Sequence, residues 1–300
     1  MPLLRLFLLS VFLIACTSTP KGNVTESADA RLQALYEREW AWRQEQNAKI
    51  RDTNDKWVRA DHFPEVTAEA YEARKDYWDD ALEKLAAIPL DELSPEEQVN
   101  AAVFEQIITS ELSDARYRTY EAPLNSDTFF WDGLHPQQSG FNDLEAYERY
   151  LGRLRDIPRF FEENQLNMRA GLARGFTPPA ITLTGRDASI EAYLEPGADN
   201  PFAVPLDHFP PNMSAAERAR IETDVLATID AVVVPAYTKL LVFMREVYLP
   251  NARTSLAATD LPNGEAFYQA QIQKFTTLDL TPEEIHQQGL AEVARIRAEM

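Results

Sequence analysis

Residues 215 to 249 limit the fold more severely than any other stretch of the chain. Ser214 and Glu217 have capping-box spacing, in which a hydroxyl accepts the third backbone N–H and a carboxylate returns to the first, so a helix starts here. Beyond it come Val232-Val233-Val234-Pro235 and then Tyr237, Leu240, Leu241, Phe243 and Met244, apolar on nearly every side. Such a helix is stable in water only when other elements surround it. Lys239 and Arg245 argue against a membrane span, so the cover must come from the rest of the chain. Pro235 deletes one backbone hydrogen bond and crowds the carbonyl one turn back, which predicts a kink in a helix whose pattern otherwise continues in phase. No alternating run elsewhere exceeds four or five residues. The expected class is all-α: a large multi-helix assembly around one long, Pro-kinked central helix, with at most short strands.

The remaining segments can supply that cover. A first helix from about residue 27 carries Leu32, Leu35, Tyr36, Trp40 and Trp42, and a second from Thr67 carries Tyr71, Trp78, Leu82 and Leu85. Ser94-Pro95-Glu96-Glu97 caps a third, whose spacing predicts Val99, Val103, Ile107 and Leu112 as its inward face. Helices are expected at 142 to 155 and 158 to 174, with Gly175 as the left-handed terminator. A weak helix near 187 to 195 lies between Pro-rich passages. Thr281, Pro282 and Glu284 open a last helix, with Ile285, Val293, Ile296 and Met300 on one face and no terminator after them. We take residues 28 to 300 as one helical domain.

The N-terminus is of a different kind. Arg5 follows a short opening, and residues 6 to 15 form an apolar run too short to span a bilayer, so residues 1 to 15 read as a secretory leader. Leu13-Ile14-Ala15-Cys16 resembles the lipobox of bacterial lipoproteins, and Cys16 is the one cysteine in the chain. The resemblance implies acylation at Cys16, a membrane partner reached through that lipid, and an outer-membrane address facing the periplasm. Residues 16 to 27, rich in Ser, Thr, Pro and Gly, read as a flexible tether. With Cys16 acylated, no thiol remains for a disulfide or a nucleophile. The net charge of −19, from 48 acidic and 29 basic residues, opposes any general grip on nucleic acid.

Chemistry is sparse along the chain. His62, His135, His208 and His286 stand far apart, and no His-Glu-x-x-His pair, phosphate loop or nucleophile elbow occurs. No catalytic, cofactor-binding or metal-binding residue is therefore assigned. The segment Phe129-Phe130-Trp131-Asp132-Gly133-Leu134-His135 breaks the helical period and combines aromatic with polar groups. It reads either as an apolar plug over helix ends or as the wall of a ligand cleft contributed by Trp131, Asp132 and His135. Phe267-Tyr268, ahead of the last helix, makes Tyr268 a further cleft candidate, and His286 completes the set.

The blocks at 173 to 179 (ARGFTPP), 233 to 253 (VVPAYTKLLVFMREVYLPNAR) and 264 to 300 resemble the bacterial family called domain of unknown function 885, with likeness running from about Leu32 to the last residue. The resemblance implies a longer, largely helical protein similar to zinc metallopeptidases, whose candidate catalytic stretch, His-Glu-x-x-Pro-Gly-His, lies downstream of the segment matching Met300. It implies zinc for the full-length family only. His286 matches a position where relatives also carry His. On this reading the chain is the N-terminal half of a lipid-anchored, hydrolase-like envelope protein, truncated at Met300 and inactive as given. The alternative is a non-catalytic helical periplasmic lipoprotein that binds a peptide or protein partner.

Overall fold

In the computed structural model, residues 26–136 and 140–300 are described; the leader, Cys16 and the tether up to residue 25 lie outside them. The described residues are mostly helical. Helices α1 (Ala28–Gln46), α2 (Ala68–Ala86) and α3 (Pro95–Tyr117) start at Ser27, Thr67 and Ser94, whose hydroxyls accept the N–H of Ala30, Ala70 and Glu97. Between α1 and α2 a small antiparallel hairpin pairs β1 (Lys49–Arg51) with β2 (Trp57–Arg59). Helix α4 (Leu144–Arg174) is capped by Asp143 and ends at Gly175, where a φ of 78° suits glycine. Two short turns, α5 (Ala180–Leu183) and α6 (Ala188–Glu191), precede a continuous run, Ala215–Asn251, made of α7 (Ala215–Thr228), α8 (Val234–Phe243) and α9 (Leu249–Asn251). Helices α10 (Gly264–Thr276) and α11 (Pro282–Glu299) complete the chain.

Two apolar cores result. In the smaller one α1, α2 and α3 share Leu32, Trp78, Leu85, Phe104 and Ile108, while Trp42 stacks on Tyr77 with ring centroids 3.7 Å apart. The inward face of α3 differs from the expected one. Val99, Val103 and Ile107 are exposed, and Ala101, Phe104, Ile108 and Ala115 are buried. Both stripes recur at helical spacing about one residue apart, and the bulk of Phe104 rather than the period decides which one turns inward. Trp40, expected inward on α1, is also exposed.

The larger core lies between α4 and the long run, closed by residues 124 to 136 and 176 to 213. By length and composition alone Ala215–Asn251 could cross a bilayer, but Ile221, Val225, Val233, Tyr237, Leu240 and Met244 are buried in this core. The run is one long central helix, as expected, and it widens into π turns at Ile229–Val233 and Met244–Tyr248. Each immediately precedes a segment with proline in its first two positions, Pro235 and Pro250. A π turn supplies the extra residue that moves the clashing carbonyl away from the ring. Helix α4 differs from the two helices expected at 142 to 155 and 158 to 174: it is one 31-residue helix running through Pro158. The ring faces solvent while Ile157, Phe160 and Phe161 pack inward on either side, and that packing offsets the lost hydrogen bond.

Residues 63 to 66 join the two cores by lying along α4. Phe63 N–H donates to Asp156 Oδ2 (2.7 Å) and Val66 N–H to Glu163 Oε2 (2.8 Å), while Arg159 bridges both carboxylates and donates to the Phe63 carbonyl (2.8 Å). One turn earlier the backbones almost touch: a Cβ on Gly152 would come within 2.6 Å of the Asp61 carbonyl. Only glycine permits that approach, which brings the hairpin beside the first half of α4.

Helix α11 has no buried residue, and Val293, Ile296 and Met300 form an exposed apolar stripe. Contiguous apolar surface of this kind drives association. The purified chain should self-associate in sedimentation velocity, and a Val293→Asp/Ile296→Asp variant should shift toward monomer. Identical sedimentation of the two would show that the stripe is not an association surface.

Candidate functional site

The hairpin, α4 and the loop before it enclose a cleft of about 660 Å³, the size of sites that hold small organic ligands. Lys49, Trp57 and Arg59 enter from the hairpin, Arg149, Tyr150 and Arg153 from α4, and His135 and Phe141 from the loop. Arg149 and Arg153 reach the same wall because residues four apart share one helix face. Lys49 and Arg59 are paired directly across the strands, an arrangement that repels. Lys49 Nζ donates to Gln44 Oε1 at 2.8 Å, and Arg149 pairs with Glu145 at 2.7 Å on the rim. Arg59 and Arg153 form no ion pair among the described residues.

Arg153 is the most constrained of the four. Its guanidinium lies over the Phe63 ring, 4.8 Å from the centroid. Burial, with a smaller contribution from the Arg59 charge, pushes its pKa down to about 10. Beside it Tyr150 is held above the ordinary phenol range by burial, and its hydroxyl donates to the Phe202 carbonyl. His135 Nδ1 lies 3.0 Å from the Tyr193 hydroxyl, and Tyr193 stacks on Tyr237 at 4.5 Å, so the core fixes the imidazole. The arrangement can bind and orient an anionic group against aromatic walls.

Of the candidates read from sequence, His135 lines this cleft and the others stand elsewhere. Trp131 is fully buried; its indole N–H donates to Ser189 Oγ (2.9 Å) and its carbonyl accepts from Tyr237 (2.9 Å), as befits a plug over the core. Asp132 is exposed beside it; partial desolvation of its carboxyl raises its pKa and the His135 charge opposes that. Tyr268 is half exposed on α10, and His286 is exposed on α11. Lys49, Arg59, Arg149 and Arg153 were missed. The one signal for them is a pair of arginines four apart in an acidic chain, and only the fold brings the hairpin to it.

No three His, Cys, Asp or Glu side chains converge among the described residues, and His62 Nδ1 faces Asp61 Oδ1 at 2.8 Å on an exposed turn.

The three blocks singled out in the sequence also meet. Arg253 donates through its backbone N–H to Thr177 Oγ1 (3.0 Å) and through Nε to the Thr177 carbonyl (2.8 Å), and Phe176 meets Phe267 edge-on at 5.5 Å. Comparison with solved structures shows that the fold is shared with a bacterial protein. A crystal structure described as that of a "putative lipoprotein from Colwellia psychrerythraea" superposes with a TM-score of 0.75 at 19% identity, covering 91% of this chain and 50% of its own. The chain thus spans about half the length of that neighbour. No curated protein matches. Residues 48–300 match the family described as "Bacterial protein of unknown function (DUF885)", and the chain belongs to that family.

Proposed function

We propose that this chain is a lipid-anchored envelope protein, held at Cys16 to the outer membrane and facing the periplasm, that binds a small ligand or short peptide in the cleft between the hairpin and α4. The cleft carries the binding reading, since it joins ligand-sized volume and aromatic walls to Arg59 and Arg153, which have no ion-pair partner among the described residues. The leader, the Leu-Ile-Ala-Cys sequence and the fold likeness to a protein described as a lipoprotein support the anchor. Isothermal titration of the mature protein with short peptides tests the binding. Ala146 lines the cleft, so Ala146→Trp should fill it and abolish binding whatever the ligand's charge. Unchanged binding in that variant would place the site elsewhere.

Anchoring is tested separately. Each acyl methylene buried in the bilayer contributes about 0.8 kcal/mol, so several chains hold firmly. Cys16→Ser should abolish fatty-acid labelling and release the protein to the soluble fraction. A wild-type protein that fractionates as soluble with a free thiol would overturn the anchor.

The hydrolase reading rests on the family resemblance to zinc metallopeptidases. On that reading the cleft holds part of a substrate, and the metal ligands lie outside the described residues. The purified chain is then expected to cleave no peptide, which a fluorogenic peptide assay checks.

A further inference from the structure

We propose that the cleft recognises an oxyanion, a carboxylate or a phosphate on a small organic body, with Arg153 as its central anchor and Arg59, Arg149 and Lys49 around it. The inference rests on the binding reading above and adds the chemical class of ligand.

Four observations carry it. The chain holds 48 acidic and 29 basic residues, yet four cations line this one cleft and one carboxylate, Glu145, pairs with them at the rim. Lys49 stands directly opposite Arg59 on the hairpin, a like-charge pairing that folding alone disfavours. Arg153 is only partly open to water and has no ion-pair partner among the described residues, whereas arginines withdrawn from water are ordinarily paired. Its guanidinium carbon rests over the Phe63 ring, 4.8 Å from the centroid, a contact that restricts the side chain before a ligand arrives. Guanidinium forks match carboxylate and phosphate oxygens two at a time, and ammonium adds a point charge. Trp57 and Phe141 then offer apolar surface to the body that carries the anion.

A cluster whose charges repel one another should be relieved by removing one of them. Arg153 has a folded pKa below its unfolded value, so its penalty is fully present below about pH 10 and fades as pH rises through the ordinary arginine range. Replacing it with methionine, which keeps the stem, should leave the melting temperature at pH 7 unchanged or raised. An arginine serving structure would lower it.

Titration calorimetry on the mature protein decides the matter, with inorganic phosphate, trialanine and trialanine amide as probes. The inference expects phosphate or free trialanine to bind, the amide to bind at least about tenfold more weakly than the free acid, and salt to weaken the interaction. Arg153→Met should lose about tenfold or more in affinity without a lower melting temperature. Arg155→Gln, an exposed change on the same helix outside the cleft, should bind as wild type and controls for net charge. Phosphate binding without trialanine binding assigns a phosphate ligand, and the reverse assigns a carboxylate; both support the inference. Equal affinity for acid and amide, blocked by Ala146→Trp, would overturn the oxyanion inference and leave the binding reading intact. No binding of any probe would overturn both.

Discussion

Tyr237→Ala is expected to remove about 4 to 6 kcal/mol of stability, much of what a domain of this kind has in reserve. Tyr237 is fully buried, and its ring meets Phe161 at 4.9 Å, Tyr193 at 4.5 Å and Phe202 at 5.9 Å. Truncating a buried aromatic residue costs about 3 to 5 kcal/mol through lost burial and the cavity left behind. Its hydroxyl also donates to the Trp131 carbonyl at 2.9 Å, and orphaning that acceptor adds about 1 kcal/mol. Tyr237→Phe isolates the second contribution and should cost about 1 kcal/mol. Because Tyr193 leans on Tyr237 and holds His135, the alanine variant should also loosen the loop wall of the cleft. Urea midpoints for the two variants check the numbers. A loss below about 1 kcal/mol for Tyr237→Ala would mean that the long helix does not anchor the core.

Arg159→Met is expected to cost about 2 to 3 kcal/mol and to uncouple the two cores. The guanidinium grips Asp156 with two bonds, Nε to Oδ1 at 2.7 Å and a terminal nitrogen to Oδ2 at 2.6 Å, and reaches Glu163 Oε1 at 2.7 Å. Hydrogen bonding to Asp156, and then to Glu163, raises its pKa further above the ordinary arginine range. Without it, two mostly buried carboxylates would repel each other while still accepting the Phe63 and Val66 amides. The figure stands below the range for fully buried pairs because about a third of the arginine side chain meets water. Hydrogen exchange at Phe63 and Val66 should accelerate more than exchange in the middle of α4, and affinity in the cleft should fall with it. Uniform acceleration along the chain would show global loss of stability instead of a broken clamp.

The residues of that clamp show where sequence reading stops. Asp156, Arg159 and Glu163 fall at i, i+3 and i+7, a spacing that on any helix reads as a solvated stripe of paired charges. Nothing within α4 indicates that a segment 93 residues earlier comes to lie on them. Pro158 misled in the same way, since the cost of a proline inside a helix is local and the packing of Ile157, Phe160 and Phe161 that offsets it is not.

What the sequence by itself determined lies within a few residues of where it is written. The hydroxyl caps at Thr67, Ser94, Ser214 and Thr281, the left-handed glycine at 175 and the apolar run through Tyr237 and Leu240 all held in the structure. Caps, terminators and burial periods act through neighbouring backbone groups, so their free energies are nearly independent of the rest of the fold. Tertiary structure alone decided which stripe of α3 faces inward, whether α4 continues through its proline, and that Lys49 and Arg59 meet Arg149 and Arg153 across some ninety residues of chain. Those outcomes turn on which surfaces come together, and the approach permitted at Gly152 belongs to the pair of backbones rather than to either segment.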